Sequence, residues 1–117
     1  MGMGQADMSV SVRRKELIRG KILYYLALVF PQPSTLHQLQ GELDFFGYPI
    51  PMEELNFHVA YLAEKGFVSI EALPRPNRRD ASQVKITAKG IDYYDGRLEP
   101  DEGVYLGPRG QGPGSGH

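Results

Sequence analysis

LNFHVAYLAEKGFVSI, residues 55–70, changes its hydrophobic period part-way along. In its first half Leu55, Val59 and Leu62 recur at three- and four-residue spacing, which lines one face of a helix. Gly66 then supplies the usual helix stop, and Phe67-Val68-Ser69-Ile70-Glu71-Ala72-Leu73 alternates apolar and polar for most of its length, the period of a half-buried strand. A loop from Pro74 to Ser82 follows, carrying Arg75, Arg78 and Arg79. Alternation resumes at Gln83-Val84-Lys85-Ile86-Thr87, so the two runs close into a hairpin. Helix and hairpin share one interior if Leu55, Val59, Leu62, Phe67, Val84 and Ile86 all turn toward it. Thr87 is placed to cap a short last helix containing Ile91, Tyr93 and Tyr94.

Upstream the periodicity is helical. From Arg13, the residues Leu17, Ile18, Leu23, Leu26 and Phe30 share a broad face, and Pro31 marks the stop. Tyr24, Tyr25, Ala27, Leu28 and Val29 make the second half of this helix apolar almost all round, so it needs cover on more than one side. Ser34 or Thr35 caps a second helix with Leu36, Leu39, Leu43 and Phe46 as its apolar positions and Gly47 as its end. Pro51 suits the first turn of the third helix, where Glu53 and Glu54 meet the positive end of the helix dipole. The order is helix, helix, helix, strand, loop, strand, helix. That is an α+β domain of three helices, a two-stranded wing and a short C-terminal helix.

The domain spans residues 13–96. Residues 1–12 read as a flexible arm, 97–106 as an extended arm with Val104, Tyr105 and Leu106 available to pack, and 107–117 as a disordered Gly-rich tail. The chain has 117 residues, 41% of them hydrophobic, enough for one core of roughly 90 residues to fold without disulfides. It has no Cys, which excludes thiolate metal sites and Cys nucleophiles and fits a reducing cytoplasm. The longest apolar run, Ile22 to Phe30, is far shorter than the ~20 residues a bilayer-spanning helix needs, so no membrane association is expected.

The segment from Leu55 to Ile91, and above all Tyr61-Leu62-Ala63-Glu64-Lys65-Gly66-Phe67-Val68 and Ile86-Thr87-Ala88-Lys89-Gly90, resembles the winged helix-turn-helix regulators of the MarR, ArsR and PadR type. The continuation Gly90-Ile91-Asp92-Tyr93-Tyr94-Asp95-Gly96 with Pro100-Asp101-Glu102-Gly103-Val104 is similar to small winged-helix proteins of Mu-like phages and prophages. The resemblance implies a winged helix-turn-helix fold and, for most members, a DNA-binding transcriptional regulator that lays its third helix in the major groove while the wing touches the backbone, often as a dimer. Other members of such a fold bind proteins instead.

Charge distribution bears on that choice, because phosphate contacts need Lys or Arg. The formal net charge is -1. Between Lys21 and Lys65 the chain holds Glu42, Asp44, Glu53, Glu54 and Glu64 but no Lys or Arg. Outward positions on the third helix are expected at Asn56, Phe57, Ala60 and Tyr61, of which Asn56 suits an adenine edge and Tyr61 a phosphate. Arg75, Arg78, Arg79 and Lys85 cluster on the wing, and Arg13, Arg14 and Lys15 with Arg19 and Lys21 form a second basic group on the first helix. Double-stranded DNA is the first candidate partner. A protein partner held by the acidic, aromatic third helix is the alternative, and a homodimer through the apolar end of the first helix and the last-helix tyrosines suits both.

Catalysis is not expected. His37 and His58 are distant in sequence and form no helical pair, so neither a metal nor another cofactor is indicated, and His58 beside the core stripe reads as a structural residue. Glu53-Glu54 and Asp101-Glu102 are adjacent rather than placed to converge on a substrate.

Overall fold

The computed structural model describes residues 3–72 and 82–107, with side chains from residue 11 onward. Its elements run α1 (Met3–Val29), β1 (Ser34–Thr35), α2 (Leu36–Phe45), α3 (Met52–Glu64), β2 (Val68–Glu71), β3 (Gln83–Ile86) and α4 (Ala88–Tyr94). The architecture is α+β, with four helices around a small antiparallel sheet of strand order β1-β3-β2.

Local chemistry sets the boundaries. Thr35 opens α2 with a capping box: its hydroxyl accepts from the Gln38 backbone N–H, and the Gln38 side chain accepts from the Thr35 backbone N–H. At the far end Gly47 takes a φ of 92°, its N–H donating to the Asp44 carbonyl and the Tyr48 N–H to the Leu43 carbonyl. The same pair of bonds closes α3 around Gly66, φ 82°, from Gly66 to Ala63 and from Phe67 to Leu62. Both ends are Schellman motifs, which need a left-handed residue after the cap. Thr87 caps α4 by accepting from Gly90 N–H and also donates to the Gly66 carbonyl, tying the exit of α3 to the entry of α4.

The interior is continuous. Ile18, Ile22, Leu23 and Leu26 of α1, Leu36, Leu39 and Leu43 of α2, and Leu55, Val59 and Leu62 of α3 are buried together with Phe67, Val68, Val84, Ile86, Tyr93 and Val104. The six side chains expected to link the third helix to the hairpin therefore meet in one core. Strand pairing places Val68 opposite Ile86, both buried, and Ile70 opposite Val84, of which Val84 is buried while Ile70 is exposed. The Phe67 and Tyr93 rings stack at 4.6 Å. Gly90 lets α4 approach that closely, since a Cβ there would run into the Phe67 carbonyl and the Ile86 side chain.

Four features differ from the sequence reading. The first helix begins at Met3 rather than Arg13, so residues 3–12, read as a flexible arm, have helical backbone. Where the sequence implies two strands the sheet has three, because Ser34 and Thr35 pair with Val84 and Gln83 of β3. Phe30, assigned to the buried face of the first helix, lies past its last turn and is 46% exposed, while Leu17 is half-buried. Pro51 stands at the N-cap of α3, one position before the first turn. Among the described residues no helix is long and apolar enough to cross a membrane.

After α4 the chain returns over α1 as a strap, residues 97–107. The Tyr93 hydroxyl donates to the Val104 carbonyl at 2.6 Å and accepts from the Asp101 N–H at 3.0 Å, and the Tyr105 N–H donates to the Glu16 carbonyl at the other edge. Val104 is buried beneath it. Gly20 admits the strap, because a Cβ at that position would collide with the Tyr105 carbonyl.

Candidate functional site

The buried stripe of α3 leaves Glu53, Asn56, Phe57, Ala60 and Glu64 exposed on the opposite side. Three of the four expected contact positions on this helix are thus available: Asn56, Phe57 and Ala60. Phe57 is 61% exposed with its ring edge-on to His58, so it is no part of the core. The centre of this face is uncharged, with a carboxylate toward each end. Glu54, next in the first turn, is half-buried and offset by Arg14 at 3.4 Å.

Tyr61 is placed differently. Its ring lies under the Arg19 guanidinium, 3.8 Å from the charged carbon to the ring centroid, with the Lys65 ammonium at 5.5 Å, and its hydroxyl packs against Gly103 of the strap. It joins α3 to α1 and to the strap and is half-buried there.

The cations divide into two groups. Lys85 is exposed on the outward side of β3, opposite Ser69, with its ammonium 5.8 Å from the Phe30 ring centroid. Arg75, Arg78 and Arg79 lie outside the described residues. On α1, Lys15 is exposed, whereas Arg13 pairs with Glu16 at 3.6 Å and stacks over the Tyr105 ring. Arg14 reaches both Glu54 and the Pro49 carbonyl. The basic group on the first helix is in large part engaged within the molecule, holding α3 and the strap to α1.

Sequence reasoning did not find the polar network inside this junction. Arg19, only 8% exposed, donates from Nε to Nδ1 of His58 at 3.1 Å and from Nη1 to the Gly103 carbonyl at 3.1 Å. His58 is fully buried, and its Nε2 lies 3.0 Å from the Glu54 carboxylate. Since Nδ1 accepts from a guanidinium, Nε2 carries the ring proton and donates to Glu54, leaving the imidazole neutral. Burial holds the His58 pKa below its usual 6.5; the hydrogen bond to Glu54 opposes this, and the positive charge of Arg19 reinforces it. Nearby, burial pushes the Asp101 carboxyl up, but the Gly103 N–H at 2.8 Å and Lys65 at 3.1 Å outweigh it and hold the carboxyl below its ordinary value.

An open cleft of about 410 Å³ beside the strap is rimmed by Arg13, Glu16, Asp101, Glu102 and Tyr105, a mixture of signs that favours no single class of charged ligand. Among the described residues no group of three or more His, Asp or Glu comes together in a way that could hold a metal ion. The Tyr24 ring of α1 meets Phe46 edge-on at 5.8 Å and Tyr94 at 6.3 Å, while Leu28 and Phe45 are 62% and 84% exposed.

No family model matches the chain, and neither does any curated protein. Among solved structures, the chain is similar to TA0346 of Thermoplasma acidophilum, a protein provisionally classed as a transcriptional regulator. The two share 23% identity and superpose with a TM-score of 0.53 over 64% of this chain and 72% of that one. At this level of identity the likeness is one of fold.

Proposed function

We propose that this chain is a winged-helix transcriptional regulator that reads duplex DNA with α3 and grips the phosphate backbone with the β2–β3 hairpin and its loop. The observation that carries the reading is the uncharged exposed surface at the centre of α3, Asn56, Phe57 and Ala60, on a helix packed beside a hairpin whose outward face presents Lys85. A major groove admits a helix whose central side chains are small, amide-bearing or apolar. Asn56 suits the paired donor and acceptor of adenine, and Ala60 and Phe57 suit thymine methyl groups. Lys85 with Arg75, Arg78 and Arg79 supplies the phosphate contacts that the acidic ends of α3 do not. The fold shared with TA0346 is consistent with this role.

Fluorescence anisotropy with labelled duplex across a salt series tests it. Binding should weaken as salt rises, and Arg78→Ala with Arg79→Ala should weaken binding across all sequences and lower the log–log salt slope by about 2. Asn56→Ala should cost about 1–3 kcal/mol at a preferred site and relax specificity there. Absence of binding at low salt would overturn the proposal.

A second reading is a protein-interaction module. It is favoured by the lack of any Lys or Arg on the exposed face of α3 together with the exposure of Phe57, since aromatic anchors ringed by polar groups typify protein contacts. Under it, Phe57→Ala abolishes capture of a basic or apolar partner while the fold survives.

A further inference from the structure

The Arg19–His58 contact joins three parts of the chain that are far apart in sequence. Arg19 comes from α1 and His58 from α3, and the second nitrogen of the same guanidinium holds the Gly103 carbonyl of the strap. The Tyr61 ring closes the guanidinium from one side and touches Gly103 from the other. Arg19 therefore holds the Gly103 segment of the strap between α1 and α3 while Nδ1 of His58 remains an acceptor.

We propose that this junction is a proton-operated latch, in which protonation of His58 expels the Arg19 side chain and loosens the strap around Gly103, leaving it to the Tyr105–Glu16 and Lys65–Asp101 contacts. The ring can gain a proton only at Nδ1, because Nε2 already donates to Glu54. Once it does, two N–H groups and two positive charges face each other across 3.1 Å in a site with no solvent access to His58. Glu54 stabilises the imidazolium and stays with it, so the guanidinium is the group that leaves. Its departure breaks the bond to Gly103 and uncovers Tyr61. The charges acting on His58 are Glu54 from α3 itself and Arg19 and Lys15 from α1, with Arg14 on the far side of Glu54; α2 and β2, which also pack on α3, contribute none to this set. From the strap comes the Gly103 carbonyl, while Asp101 is engaged by Lys65.

Amide hydrogen exchange of the whole chain at pH 7.5 and 5.5, corrected for the intrinsic pH dependence of exchange, tests this. The opening constant of strap amides such as Val104 and Tyr105 should rise several-fold at the lower pH, with about tenfold as the ceiling when only the opened state takes up the proton over that interval. Core amides of α3 and β3 should remain far better protected than the strap. His58→Gln, which offers Arg19 an acceptor that cannot charge, should abolish the pH effect; should that variant fail to fold, the imidazole nitrogen shifts of the unaltered protein serve instead, with Nδ1 unprotonated at pH 7.5 and protonated in step with strap opening. Strap protection unchanged between the two pH values would overturn the proposal, and so would strap and core amides opening together as one unit.

Discussion

Gly20, Gly41 and Gly90 all lie within helices, yet the same substitution should have opposite effects at them. At Gly20 and Gly90 a Cβ would strike backbone, the Tyr105 carbonyl in one case and the Phe67 carbonyl in the other, and backbone cannot step aside as a long side chain can. Gly41 in α2 has nothing within 4 Å of where its Cβ would stand. Urea unfolding should show Gly90→Ala destabilised by about 1–3 kcal/mol, as overpacking costs, and Gly41→Ala stabilised by about 0.5–1 kcal/mol, as the mid-helix entropy cost of glycine is removed. The two aromatic residues of α3 should separate in the same assay. Phe57→Ala removes an exposed ring and should change stability by less than about 0.5 kcal/mol. Tyr61→Ala removes the ring under Arg19 and should cost about 1–2 kcal/mol. From sequence these two rings were equivalent, four residues apart on one face; what separates them is the Arg19 side chain and the strap, both contributed from distant parts of the chain.

The elements that sequence revealed best are those whose period and stop signals agree. In α3, Leu55, Val59 and Leu62 mark the buried stripe and Gly66 the end, and the structure places both as the spacing requires. Thr87 was legible as a cap, and Thr35 as one of two candidates with Ser34, because a hydroxyl just before an apolar helical run has a local task to perform. Thr35→Ala should accordingly lower stability by about 1 kcal/mol in a urea melt, since it leaves the Gln38 N–H without its acceptor and opens the capping box. β1 was illegible for the converse reason: two residues cannot display alternation, and Ser34 and Thr35 become a strand only because β3 lies alongside. The early start of α1 was also hidden, because residues 3–12 mix Gly, Ser and Val without a sustained period or a cap. The arrangement of Arg19, His58 and Gly103 has no sequence signature at all. It arises where three elements converge.

Across the whole molecule, the neutral buried imidazole makes stability depend on pH. The His58 pKa is depressed in the folded chain, so above 6.5 neither folded nor unfolded state is protonated there and the contribution is complete. As pH falls below 6.5 the unfolded state takes up a proton that the folded state resists, and stability declines by up to about 1.4 kcal/mol per pH unit until the folded pKa is reached. Asp101, held below its ordinary 3.8, adds a second loss at distinctly lower pH. Urea midpoints measured from pH 7.5 to 5 should fall, and His58→Gln should flatten that interval while leaving the more acidic loss in place. At this scale, too, the cations differ in their tasks: Arg13, Arg14, Arg19 and Lys65 are occupied in holding α3 and the strap to the body, whereas Lys85 on the hairpin and Lys15 on α1 are exposed, and the proposed DNA contact draws on the hairpin. The most direct test of that arrangement is to add nonspecific duplex to the isotopically labelled protein at low salt and follow the backbone amide shifts. A DNA-reading α3 predicts salt-reversible perturbations concentrated at Asn56, Phe57, Ala60 and Lys85. No perturbation, or perturbation confined to the surface around Tyr24, Phe45 and Tyr94, would contradict it.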